Sequence, residues 1–327
     1  MNSEFTLKNE ASAVTAFRDT IRVKGVPVAI DALRVDGQTF LVRGKFLKIA
    51  ELKYFWEEDV QDPERVIQEI AKTSVRVDIL KFWQRIPENE AKYSYYHEWR
   101  YPAAIPISTH ERWFQKQIKK TVRTKIRKAR NNGVEVRQEE LSDELIRGIM
   151  RIYNDSPIRR GKPFWHYGKD FDTVKDELAD GPEKSTFITA YKDGELIAFV
   201  KLLFLDRYAK TTLILDKLSR RDIAGSMNIL ISKIVEICEE RKIPYFVYSY
   251  WRRGDHGQFQ ESNGFLKNEV PEYFVPLTLK GRVALLLSLH HGIKGWIPER
   301  LMIPLLDLRA KWYARKHRAK AFRFVKQ

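Results

Sequence analysis

Hydrophobic and polar positions alternate along this chain with two periods, and the clearest succession of them runs from Thr211 to Phe265. Thr211-Thr212-Leu213-Ile214-Leu215 is an apolar, partly β-branched run, as a buried strand requires. A polar loop follows from Asp216 to Asp222. Met227, Leu230, Ile231, Ile234, Val235, Ile237 and Cys238 then recur at helical spacing, with Lys233, Glu236, Glu239 and Glu240 between them. Pro244 closes that helix, residues 245–251 read as a second strand, and Gln258 to Asn263 as a short helix stopped by Gly264. A strand–helix–strand unit of this kind presents the end of its first strand and the start of its helix to a ligand, here Asp216 to Ser226.

The rest of the chain carries the same two periods. Val26 to Val35 and Thr39 to Val42 flank an Asp36-Gly37 turn and predict a hairpin, and Leu47 to Leu52 adds a strand. Asp62-Pro63-Glu64 opens a helix whose apolar face is Val66, Ile67, Ile70 and Ala71. Val75 to Phe82 alternates as a strand, and Tyr93 to Ile107 is aromatic and β-prone. His110 to Asn131 reads as one long basic helix, ended by Gly133, and Leu141 to Tyr153 as a second amphipathic helix. A second Asp-Gly hairpin, on Asp193-Gly194, joins Thr186–Tyr191 to Leu196–Phe204, and Phe274 to Leu277 ends the domain as a strand. The expected organisation is an α/β lobe over residues 1–110, a second over 111–277, and a basic amphipathic helical tail over 278–327.

Composition changes this picture in three places. A single cysteine, Cys238, excludes an intrachain disulfide and points to a reducing compartment, and its helical spacing makes it a core residue. No basic-then-apolar leader opens the chain, and no stretch reaches the roughly 20 apolar residues of a spanning helix. The expectation is a cytoplasmic protein. The net charge of +16 is concentrated. Arg112 to Arg130 holds nine Lys or Arg and no acid, and Arg309 to Gln327 holds eight and no acid, so these two segments account for the whole excess. Such localisation predicts a docking surface for an anion: RNA, a phosphorylated ligand or a lipid headgroup.

Particular residues resemble a known family. Arg123-Thr124-Lys125-Ile126-Arg127-Lys128-Ala129-Arg130-Asn131-Asn132-Gly133-Val134-Glu135-Val136 is similar to a stretch of FemAB-like proteins. So are Ile152 to Gly161, with Tyr153, Ser156, Arg159 and Gly161 in register, and Phe259-Gln260-Glu261-Ser262-Asn263-Gly264-Phe265. The order of hairpin, strand, loop, helix, strand, helix and strand resembles the GNAT acyltransferase fold. The resemblance covers residues 111–277 and implies a GNAT-like mixed sheet, two such lobes in tandem, and acyl or aminoacyl transfer to an amine. It implies acyl-CoA (acetyl-CoA) or aminoacyl-tRNA as donor, a small-molecule or lipid-linked amine as acceptor in cell-envelope or polysaccharide assembly, and no metal.

The donor loop aligns with Arg221-Asp222-Ile223-Ala224-Gly225-Ser226. Backbone N–H groups at a helix start approach phosphate closely, and the family's loop carries two glycines for this purpose. Here Ala224 and Ser226 stand in their places and Gly225 lies between, so the cofactor-binding candidates are Arg221, Ile223, Ala224, Gly225 and Ser226. Acyl transfer needs a base, an oxyanion stabiliser and a proton for the leaving group. The catalytic candidates are His166 as base, Asp216 to orient the amine and Tyr250 as proton donor. Arg159, Arg160, Trp165 and Tyr167, in the irregular stretch from Pro157 to Asp170, are the substrate-binding candidates. His290 and His291 are expected to diverge on a helix, and no paired Cys or His spacing predicts a metal site.

Trp296 to Gln327 interleaves apolar anchors with the second basic run, a pattern suited to the inner face of a membrane or to RNA. The competing reading is a non-catalytic GNAT-like module that binds RNA or an anionic membrane surface.

Overall fold

The computed structural model describes residues 14–23, 26–159, 162–179, 185–220, 223 and 225–292. The chain divides into two compact units: Met1–Trp99 with Val270–Glu299, and Arg100–Glu269 with Arg300–Gln327. Each is built on a seven-stranded mixed sheet.

In unit 1 the strands are β1 (Thr15–Val23), β2 (Val26–Val35), β3 (Gln38–Arg43), β4 (Ile49–Leu52), β5 (Ile79–Trp83) and β6 (His97–Arg100), with β16 (Val270–Pro276) inserted in the order β1-β2-β3-β4-β5-β16-β6. Asp36 and Gly37 both take positive φ, 48° and 79°, as the two-residue turn between β2 and β3 demands. β4 and β5 run parallel over Ile49↔Ile79 to Glu51↔Lys81. Helix α1 (Pro63–Ala71), capped by Asp62, lays Val66 and Ile70 on one face of the sheet against Leu33, Phe40 and Leu80. Beside the parallel pair, Trp83 packs edge-on against Trp56 at 4.5 Å and donates its indole N–H to the Phe55 carbonyl. Helix α8 (Leu279–Leu286) packs Ala284 on Ile79 and Phe274.

Unit 2 repeats the plan. Its strands are β7 (Pro102–Pro106), β8 (Glu135–Glu139), β11 (Ser185–Lys192), β12 (Glu195–Phe204), β13 (Ala209–Asp216), β14 (Tyr245–Tyr250) and β15 (Leu266–Lys267), in the order β15-β7-β14-β13-β12-β11-β8. Again one central pair, β13 and β14, is parallel and the other pairings are antiparallel. Strands β9 (Ile158–Arg159) and β10 (Lys162–Pro163) form a separate small hairpin. One sheet face carries α3 (Lys120–Asn131) and α6 (Ser226–Glu240), which bury Val122, Ile126, Leu230, Ile234 and Cys238. The other carries α4 (Asp143–Tyr153) and α5 (Phe171–Ala179), which bury Ile149, Tyr153, Val174 and Leu178. Two short helices, α2 (His110–Arg112) and α7 (Asp255–Ser262), complete the unit.

The compact units do not divide where the sequence suggests. β7 belongs to unit 2 because it pairs with β14, and β16 belongs to unit 1 because it pairs with β5. Lobes cut at residues 110 and 277 would leave the first sheet without β16 and the second without β7. The long basic helix is also broken. A π-turn at Trp113–Gln117 and an extended Ile118 separate α2 from α3, which lets Trp113 sink fully into the core. The expected tail helix beyond residue 292 lies outside the described residues.

Candidate functional site

Strands β13 and β14 pair only at Ala209↔Phe246 and Lys210↔Val247, yet β13 continues to Asp216 and β14 to Tyr250. Two bulges mark the parting. In the β12–β13 ladder Lys201 faces Leu213 and Leu202 faces Thr211, so Thr212 is the extra residue. In the β14–β7 ladder Val247 faces Ala104 and Ser249 faces Ala103, so Tyr248 is the extra residue. A bulge leaves its residue out of the ladder and sharpens the local twist. The Thr211 hydroxyl donates to the Tyr248 carbonyl at the fork itself. Past that point no ladder pairing joins the C-terminal halves of the two parallel strands among the described residues.

Helix α6 begins beside β13. Gly225, its N-cap, sits at φ 97°, and a Cβ there would overlap the backbone carbonyl of Lys125 on α3. Glycine is the residue that accepts both the left-handed backbone and the contact. The helix start thus lies against the basic helix. Lys120, Lys125 and Lys128 on α3 are exposed and make no ion pair among the described residues. The preceding loop is tied down: Lys217 and Arg220 both pair with Glu195, and Asp155 accepts from the Ser219 N–H and hydroxyl. Those hydrogen bonds hold the Asp155 carboxyl below its ordinary range, although burial alone would raise it.

At the other wall α7 is latched by buried amides. Gln260 donates to the Tyr250 carbonyl and accepts the Arg252 N–H. Asn228 on α6 donates to Asn263 Oδ1 at 2.8 Å, Asn263 donates to the Phe259 carbonyl, and Trp113 Nε1 donates to the Asn263 carbonyl. This network fixes the start of α6 relative to the end of β14.

Asp216 and Tyr250 end the two parallel strands and so lie at the same edge of the sheet. Gly225 and Ser226 stand at the start of α6. Ile223 is buried in the core and its N–H is bonded to the Arg220 carbonyl, so this amide is not free for a phosphate. Arg160, Arg221 and Ala224 lie outside the described residues.

His166 is placed elsewhere. It is buried on the α4–α5 face, against Tyr153, Phe164 and Trp165. Its Nδ1 is 3.9 Å from Glu177 Oε2 and has no hydrogen-bond partner among the described residues. Burial, reinforced by the charges of Lys169 and Arg159, pushes the imidazole down to about 3. So weak a base is poorly matched to proton abstraction at neutral pH. Arg159 is likewise a building element. Its Nη1 donates to the Asp216 carbonyl and its Nη2 to the Ile152 carbonyl, both at 2.9 Å, and it stacks on Phe164. It braces the end of β13 against the end of α4. Trp165 and Tyr167 are exposed, with Lys169 Nζ 3.9 Å from the Trp165 ring centroid. Cys238 is fully buried, and burial raises its thiol to about 12.

Sequence reading missed Thr212 and Tyr248, since a bulge depends on the partner strand. It also separated His290 from His291, whereas a 3₁₀ turn at Leu289–His291 brings both rings onto Glu98 in unit 1.

No protein-family model and no curated protein matches the sequence. Solved structures do resemble it. The C-terminal domain of a putative lysylphosphatidylglycerol synthetase from Agrobacterium fabrum superposes with a TM-score of 0.52 at 15% identity, over 77% of this chain and 85% of that one. FemX superposes with a TM-score of 0.52 at 12% identity, over 84% of this chain and 90% of that one. At these identities the likeness is one of fold.

Proposed function

We propose that unit 2 is the catalytic lobe of an acyltransferase, which moves an acyl or aminoacyl group from acyl-CoA or aminoacyl-tRNA to an amine. The observation that carries this reading is the fork at Thr212 and Tyr248, opening beside the start of α6. A donor lying in the fork has its phosphates toward Gly225, Ser226 and the cationic face of α3, where helix-start amides and lysines favour anions. Its carbonyl lies among strand ends, where a bulged backbone N–H meets the oxyanion of the tetrahedral intermediate.

In this reaction the amine lone pair attacks the carbonyl carbon, and the C–N bond forms as the carbonyl electrons move to oxygen. Collapse then expels the thiolate of coenzyme A or the ribose oxygen of tRNA. Asp216 orients the amine and takes up its proton, and Tyr250 supplies one to the leaving group. His166 and Arg159 hold the wall behind β13. A lipid-linked acceptor is consistent with α8 and its C-cap, which expose Leu279, Val283, Leu286 and Leu287 beside Lys280 and Arg282. The structure from Agrobacterium fabrum is, by its name, a domain of a putative synthetase of lysylphosphatidylglycerol. The basic run at 296–327, outside the described residues, would add contact with the same anionic surface.

The test is native mass spectrometry of the full chain with acetyl-CoA and, separately, with charged tRNA, followed by donor-decay assays with amine acceptors. One donor should bind and decay faster in the presence of an amine. Asp216→Asn should slow that decay by about a hundredfold or more while leaving donor binding intact. Absence of binding by both donors would overturn the reading.

A further inference from the structure

The region around Glu98 in unit 1 has no part in the reaction proposed above. Helix α8 ends at Leu286, Ser288 takes a positive φ of 53°, and the 3₁₀ turn Leu289–His291 follows, closed by Gly292 at φ 68°. This turn carries His290 and His291 to β6, the edge strand of its sheet, where Glu98 stands. His290 Nε2 is 2.8 Å and His291 Nε2 2.9 Å from the same atom, Glu98 Oε1. The Tyr96 hydroxyl reaches that oxygen as well, at 3.2 Å.

We infer that Glu98, His290 and His291 form a binding site for a first-row divalent cation, best suited to zinc. Three donor-capable groups converge on one carboxylate oxygen, which offers two lone pairs. They cannot all donate to it well. The crowding resolves if the two imidazoles turn their Nε2 lone pairs, with the carboxylate, toward one cation. Two imidazole nitrogens and one carboxylate oxygen form the three-ligand set that holds zinc and leaves a fourth position for water. Bond lengths of about 2.0–2.2 Å in a tetrahedral site put neighbouring ligand atoms about 3.3–3.6 Å apart. The pairs at 2.8 and 2.9 Å reach that spacing with an outward movement of about 0.4–0.8 Å.

Burial is graded in the way such a site needs. The His290 side chain is fully buried, while Glu98 and His291 are 25% and 34% exposed, so a cation enters from the solvent side and keeps its water there. His290 Nδ1 is buried without a hydrogen-bond partner among the described residues. Coordination through Nε2 would move the ring proton to Nδ1. The Tyr96 hydroxyl holds the carboxylate from outside the ligand set, the arrangement that orients metal ligands. Bound cation would pin the turn after α8 to the edge of the sheet.

The experiment uses the full-length protein, stripped with a chelator, dialysed, and titrated with zinc against a chromophoric competitor. Cobalt replaces zinc in a parallel titration read by visible absorption. One tight equivalent of zinc, a raised melting temperature and a tetrahedral-type cobalt spectrum are expected. His291→Asn and Glu98→Gln, both at partly exposed positions, should each weaken zinc at least tenfold and abolish the cobalt bands. His256→Asn should change neither. Absence of stoichiometric uptake by the wild-type chain would overturn the site, as would uptake unchanged in both His291→Asn and Glu98→Gln. If His290→Asn does not fold, the other two variants still decide.

Discussion

Gly225 shows how little room a single position can leave. A side chain there would have to adopt a left-handed backbone and displace the Lys125 carbonyl. Gly225→Ala should lower stability by about 1–3 kcal/mol, read as a shift in the urea midpoint. An unchanged midpoint would mean that the α6–α3 contact yields freely. His166 carries a pH dependence. Its ordinary value of 6.5 is pushed down to about 3 by burial and by Lys169 and Arg159. The unfolded chain therefore takes up a proton near pH 6.5, whereas the folded chain resists until about pH 3. Stability from this group is complete above the upper value and is lost as pH falls between the two, by at most about 1.4 kcal/mol per pH unit. His166→Gln should flatten that part of the stability–pH curve. A slope as steep as in the parent chain would show that other groups carry it.

Among the elements, β7 and β16 decide where the lobes can be cut. Ala103, Ala104 and Ile105 of β7 are fully buried between β14 and β15 in unit 2, although they precede the basic segment in the chain. A fragment of residues 111–277 lacks β7 and should fail to fold, leaving β14 and β15 with unpaired ladders in its place. A fragment beginning at residue 100 restores the strand and should show markedly greater protection of β14 amides in hydrogen exchange. Equal protection in the two fragments would show that β7 is dispensable. The fork itself is an element-level device. Bulges on two parallel neighbours twist both strands at one level, and the ladder between them stops there.

For the whole molecule, charge is the dominant property. The excess of +16 resides in two segments, one of them α3 and its approaches. No helix among the described residues is long and apolar enough to cross a membrane. The proposed contact is instead with a membrane surface, through the apolar ridge of α8 and the basic run after residue 309. The full chain should float with anionic liposomes at low salt and much less with neutral ones, each engaged cation contributing about 1 kcal/mol before screening. Truncation after Gly292 should weaken flotation but not donor binding. Flotation equal on neutral and anionic vesicles would remove the electrostatic argument.

The sequence by itself determined what depends on near neighbours. Alternation gave the strands, and both Asp-Gly pairs marked hairpin turns, with positive φ at Asp36, Gly37, Asp193 and Gly194. Helical spacing identified the stripe of α6 from Leu230 to Cys238, and the tandem α/β plan followed. Charge counting located the basic helix, but it could not foresee the π-turn that breaks it to bury Trp113. Tertiary structure decided what depends on residues far apart in the chain. β7 and β16 have strand-like sequences wherever they pair, so only the ladder says which sheet receives them. Asp216 and Tyr250 share an edge because two strands are parallel, whereas His166, polar and reactive by type, is withdrawn into the core by packing. His290 and His291 would diverge on a helix, and they meet on Glu98 because a turn with a positive φ at each end replaces that helix.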